Sequence, residues 1–197
     1  MAMSRWFGSV DMAGAPPAAV DVVAQLKRLL DQTRPTLLQP DRSWIKARGR
    51  GWPPPELDWP DLPPSPVPDW PDCEIGIRLG HATDSEADIT VGVGRRHAVV
   101  GGIGGRITLP VTTDAGVQDV VDEVGNALRT QYEWEEHYRG HRLVRWELAS
   151  VGTQVHGTEG RHVHRSFRAR RAWLHLPGQA RVERRVVTYG LQGDHQQ

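Results

Sequence analysis

Cys73–Val111 reads CEIGIRLGHATDSEADITVGVGRRHAVVGGIGGRITLPV, and the period of its apolar residues decides the fold class. Ile75, Ile77 and Leu79 alternate with smaller or polar neighbours, and so do Ile89, Val91 and Val93. A period of two is that of a strand with one face buried. RHAVVGG and RITLPV continue the series, while Gly94 and the glycines at 101, 102, 104 and 105 supply turn chemistry. The stretch therefore predicts an antiparallel meander of about four strands.

On its C-terminal side the period changes. Thr113 or Asp114 is placed to cap a helix in which Val117, Val120, Val121, Val124 and Leu128 form one stripe. That stripe needs a sheet to cover. Glu133, His137 and His141 fall at four-residue steps, as on one face of a continuing helix, until Gly140 stops it. Glu133, Glu135 and Glu136 read as a solvated acidic turn. Beyond Gly140, RLVRWEL alternates Val144, Trp146 and Leu148, and a polar loop leads to RHVHRSFRARRAWLHL and ARVERRVVTYGL, joined through Pro177 and Gly178. These two segments read as a long hairpin, followed by a frayed tail.

On its N-terminal side stands WPPPELDWPDLPPSPVPDWP, residues 52–71, with nine prolines in twenty residues and Trp-Pro three times. Proline fixes φ and lacks an amide donor, so this stretch is neither helix interior nor central strand and is expected to run as a polyproline II arm. Trp52, Trp59 and Trp70 each carry a large apolar surface that favours docking, which an ordinary spacer would not need. Before the arm, Pro16 and Pro17 open an amphipathic helix with Val22, Val23, Leu26, Leu29 and Leu30 on its stripe. Asp41 is then expected to cap a short basic helical turn, DRSWIKAR, ended by Gly49 and Gly51.

The fold expected is α+β: a mostly antiparallel sheet of about seven strands covered by one long amphipathic helix, with an N-terminal helical piece and a Pro/Trp-rich extended arm. The corresponding division is an N-terminal helical extension over 1–51, the arm over 52–72, an α+β domain over 73–191 and a flexible tail over 192–197.

Composition narrows the functions. No apolar run approaches the roughly 20 residues needed to span a bilayer, and Asp11 and several glycines interrupt any secretory h-region. The expectation is a cytoplasmic protein with no membrane partner. Cys73 is the single cysteine, which excludes an internal disulfide. The formal charge is zero, yet residues 52–90 hold nine acids against Arg78 alone, and residues 139–187 hold eleven arginines against three glutamates. Such segregation lets parts of the chain attract each other, within or between molecules, or sets up a basic surface for an anion.

The glycine-rich stretch lacks GxxxxGK[ST] and GxGxxG spacing, so hairpin turns account for it, and no cofactor is expected. GxSxG is absent too. His162 and His164 stand two apart, the spacing of ligands on one strand face, and are weak metal candidates without a third ligand fixed by spacing. Arg165, Arg168, Arg170 and Arg184 sit among Phe167, Trp173 and Tyr189 on the expected hairpin, a pattern suited to anions and to single-stranded nucleic acid. PxxP spacings in the arm suit a protein groove. The reading that follows is a non-catalytic protein-binding or assembly module using the Trp-Pro arm and the basic hairpin, with the arm's three tryptophans as partner-binding residues and a protein partner or self-association expected. The alternatives are a nucleic-acid binder working through the arginine-rich hairpin and a metal-dependent enzyme using the two histidines.

Overall fold

The alternation over residues 73–110 gives the four strands it predicts, and the chain before it supplies a fifth. A computed structural model describes residues 6–7, 12, 15–47, 73–151, 161–168 and 178–191. The chain divides into two units, Met1–Leu128 with Gly190–Gln197, and Arg129–Tyr189.

In the first unit, helix α1 (Pro17–Thr33) precedes strands β1 (Leu38–Ala47), β2 (Cys73–His81), β3 (Ile89–Gly94), β4 (His97–Gly102) and β5 (Gly105–Pro110), and helix α2 (Asp114–Arg129) follows. The five strands form one antiparallel sheet in sequence order. Register pairs Ile77 with Val91 and Val91 with Val100, so the predicted alternation lands on one buried face. Helix α1 starts with a proline in its first turn, lies against β3, and buries Ala19, Val22, Val23, Leu26 and Leu30. Each of the valine and leucine side chains stabilises by about 1.5–3 kcal/mol relative to exposure. The helix ends at Arg34, in the left-handed region with φ 45°, whose N–H donates to Leu30 O; Pro35 cannot extend it. In α2, Thr113 Oγ1 accepts from Gly116 N at 3.2 Å, and the valine stripe through Leu128 is buried as its spacing requires. A Cβ on Gly116 would stand 2.1 Å from Pro110 O, so only glycine lets α2 begin this close to the end of β5.

Residues 41–47 are not the helical turn expected. They belong to β1, where Trp44 pairs with Arg78 and Ile45 with Ile77, and Arg48, the last residue of the expected turn, lies outside the described residues. A two-turn helix would begin with an unfavourable nucleus, whereas pairing with β2 satisfies the backbone and buries Ile45. The register shifts between Gln39 and Trp44. Ser43 Oγ donates to Gln39 O and accepts from Gly80 N there, and a Cβ on Gly80 would lie 2.6 Å from Arg42 O. This β-bulge therefore needs glycine opposite it.

That pairing changes what the proline-rich stretch is. Ala47 and Ile75 are register partners, so residues 48–72 leave and re-enter one edge of a single sheet at adjacent strands, which run about 4.8 Å apart. Trp52, Trp59 and Trp70 lie outside the described residues.

The second unit is a separate four-stranded antiparallel sheet, so one sheet of about seven strands is replaced by two sheets of five and four. Its strands are β6 (Gln131–Arg139), β7 (Arg142–Val151), β8 (Arg161–Arg168) and β9 (Ala180–Val187), in the order β8-β7-β6-β9. Three strands in a meander with the fourth returning beside the first make a Greek key. The segment read as a helical continuation is β6, with Gly140 at φ 56° and His141 in the turn to β7. Glu133 and His137 share a strand face, and His141 does not join them. The arginine-rich hairpin is overturned as well. β8 pairs with β7 and β9 with β6, so the two basic strands occupy opposite edges, about 14 Å apart.

Candidate functional site

Strand β6 lies between β7 and β9, and its alternation sorts its residues to two faces. On one face Trp134, Glu136 and Tyr138 meet Leu148 and Trp146 of β7 and Arg185, Glu183 and Arg181 of β9. Trp134 and Trp146 stack with centroids 5.1 Å apart and planes within 9°. Arg185 lies over the Trp134 ring at 5.3 Å, and Arg181 over Tyr138 at 4.7 Å. Glu136 ties the row together: Trp134 Nε1 donates to its Oε1 at 3.1 Å and Tyr138 OH to its Oε2 at 2.7 Å. The Glu136 carboxylate, accepting a hydrogen bond from the phenol, raises the Tyr138 pKa above its ordinary value. The three rings are half-buried and both arginines exposed, a surface of rigid aromatic groups edged by guanidinium.

The opposite face carries charge in pairs. Arg184 Nε donates to Glu135 Oε2 at 2.7 Å, and His137 Nε2 lies 2.5 Å from Glu135 Oε1. Across the ladder from Glu135 is Glu147, whose carboxylate accepts from Arg145 at 2.6 Å. Two carboxylates directly opposite would repel, and the cations offset this. The Arg184 hydrogen bond, outweighing desolvation, holds the Glu135 carboxyl below its ordinary range. A general acid at neutral pH needs the reverse shift.

The expected site residues fare unequally. Arg184 is described, and it is engaged by Glu135 instead of standing free for an anion. Arg165 and Arg168 fall on β8, His162 is register partner to Ser150, and His164 lies where the β7–β8 register shifts. Their side chains, and all of Arg170, lie outside what is described. Ser150 Oγ is buried without a hydrogen-bond partner among the described residues. No group of three or more His, Cys, Asp or Glu able to hold a metal occurs among the described residues. In the first unit, the Asp88 carboxylate accepts from Arg78 Nε at 2.7 Å and from His81 N at 2.7 Å, while His81 Nδ1 accepts from Asp84 N. That network fixes the β2–β3 connection around a short 3-10 turn, Ser85–Ala87.

Sequence reasoning missed the Trp134, Trp146, Tyr138, Arg181 and Arg185 row. Its signal was the alternation Tyr132, Trp134, Glu136, Tyr138, hidden by the competing four-residue spacing of Glu133, His137 and His141.

No protein-family model, curated protein or solved structure matches this chain. Its function has to come from its own geometry. No helix among the described residues is long and apolar enough to cross a membrane.

Proposed function

We propose that this chain is a non-catalytic protein-binding and assembly module whose Trp-Pro arm is the ligand-like part. The observation that carries the reading is the register of β1 with β2: Ala47 opposite Ile75 tethers residues 48–72 at both ends to one sheet edge. A proline-rich segment tethered in this way loses little further entropy on binding, and its tryptophans supply the contact area. Trp, Tyr and Arg are also the residues that dominate interface energetics, and the second sheet groups them on one face. Replacing Trp52, Trp59 and Trp70 together by alanine is expected to lower the molar mass measured by light scattering. Unchanged mass together with unchanged thermal stability would end the proposal.

Nucleic-acid binding is the second reading, favoured by guanidinium groups over Tyr138 and Trp134. Against it, Glu136 and Glu183 share that face with Arg181 and Arg185, so a phosphate backbone would meet as many carboxylates as cations.

A further inference from the structure

The second sheet carries a hollow whose chemistry mirrors that of the arm. Its register puts His137 and Arg139 of β6, Arg145 of β7, and Ala180 and Val182 of β9 on one face. With Val144, the residue left over where the register shifts between His137 and Tyr138, they line a hollow of about 210 Å³ at the Gly140 end of the sheet. Val144 is buried, while Val182 is 49% exposed. On the same face Val163 and Val186 are 51% and 56% exposed, so this face holds three of the five large apolar side chains left exposed among the described residues. A hollow walled by Val144 and Ala180 and rimmed by the exposed Val182 is the kind of apolar recess in which a partner's side chain is buried. Arg139 is exposed, with no ion pair among the described residues, and Arg145 remains 43% exposed beside its partner Glu147.

The arm offers the complement. Residues 52–72 contain five acids and no lysine or arginine, and one motif occurs twice: Asp58-Trp59-Pro60-Asp61 and Asp69-Trp70-Pro71-Asp72. Each presents an indole with a carboxylate on either side. We infer that the hollow receives an Asp-Trp-Pro-Asp motif from the arm of a second copy of this chain, the indole resting on Val144 and Val182 and a flanking carboxylate meeting Arg139. This rests on the reading of the arm as a ligand and adds its receptor.

The arm is long enough to reach a neighbouring molecule. Trp59 lies 12 residues beyond Ala47 (59 − 47) and 14 before Cys73 (73 − 59), at the apex of the tethered segment. Twelve residues reach at most about 40 Å from the sheet edge, enough to cross to another copy. Reciprocal exchange about a two-fold axis fills both hollows and closes a dimer. Because opposite charges rim the contact, added salt weakens it.

The test uses the full chain, a labelled synthetic peptide of residues 55–72, and the variants Arg139→Glu and Val182→Asp. Both substitutions fall on exposed side chains, and a thermal melt checks that each variant folds. The unaltered chain is expected to self-associate, to bind the peptide, and to lose mass as the peptide competes. Either variant should bind the peptide about tenfold or more weakly and shift toward monomer, since a like charge or a buried carboxylate opposes the motif. If both variants keep mass and peptide affinity while Trp59→Ala with Trp70→Ala lowers mass, the arm is a ligand with its receptor elsewhere, and this inference falls while the proposed function stands. A chain that is monomeric throughout, and that melts lower when those tryptophans are replaced, docks its arm on itself and overturns the second-copy assignment. A monomeric chain indifferent to peptide and to tryptophan replacement overturns both.

Discussion

Cutting the arm out separates its two possible roles, because the register shows where to cut. Ala47 and Ile75 are partners in the β1–β2 ladder, so replacing residues 48–74 by Asn-Gly closes the same hairpin with a two-residue type I′ turn. The closed loop shrinks from 27 residues to two. Loop-closure entropy, growing as (3/2)RT ln n, then favours the shortened chain by about 2 kcal/mol. Against this stand the Cys73–Gly94 register pair and the Glu74–Arg95 ion pair, in which Arg95 is 81% exposed. Such exposed pairs contribute at most about 1 kcal/mol. An arm that serves a partner therefore leaves the shortened monomer as stable as the full chain or up to about 2 kcal/mol more stable. Urea unfolding at low protein concentration, followed by circular dichroism, measures the difference. A loss greater than about 2 kcal/mol, comparable to losing the burial of one large side chain, would refute the argument, since the indoles would then be part of the monomer's own packing.

Two further outcomes concern the second sheet. The Trp134–Trp146 stack should give a coupling of about 0.5–1.5 kcal/mol in a double-mutant cycle with leucine at each position, read by urea unfolding; additive losses would mean the rings do not interact. Because Glu135 titrates below its ordinary value when folded, its contribution is full above that ordinary value and is lost as pH falls through the lowered one. Glu135→Gln should accordingly flatten the decline of the unfolding midpoint as pH falls below the ordinary carboxyl value of 4.5, and an unchanged slope would place the acid sensitivity elsewhere.

How much of this was legible in the sequence depended on whether a local period matched the tertiary need. The alternation of Ile75, Ile77, Leu79, Ile89, Val91 and Val93 and the stripes of both helices are legible because each element buries one face. DRSWIKAR misled because its strand pairs across 25 intervening residues, and because its bulge opposite Gly80 erases the two-residue alternation. Residues 131–139 misled for another reason: a half-buried strand with charge on one face and aromatic groups on the other also satisfies a four-residue spacing at Glu133 and His137. The arginine-rich strands are adjacent in sequence and far apart in the sheet, since the Greek-key return brings β9 to β6. Nothing local encodes that return. The pairing of Arg184 with Glu135 follows from it, and an arginine that the sequence adds to a basic stretch thereby meets an acid from a strand distant in sequence.

The most direct check is the molar mass of the unaltered chain across dilution, beside the chain lacking its arm. The account predicts a mass above 22.0 kDa in concentrated solution, falling to 22.0 kDa on dilution, and a monomer at every concentration once the arm is gone. An unaltered chain that stays at 22.0 kDa however concentrated it becomes would contradict it.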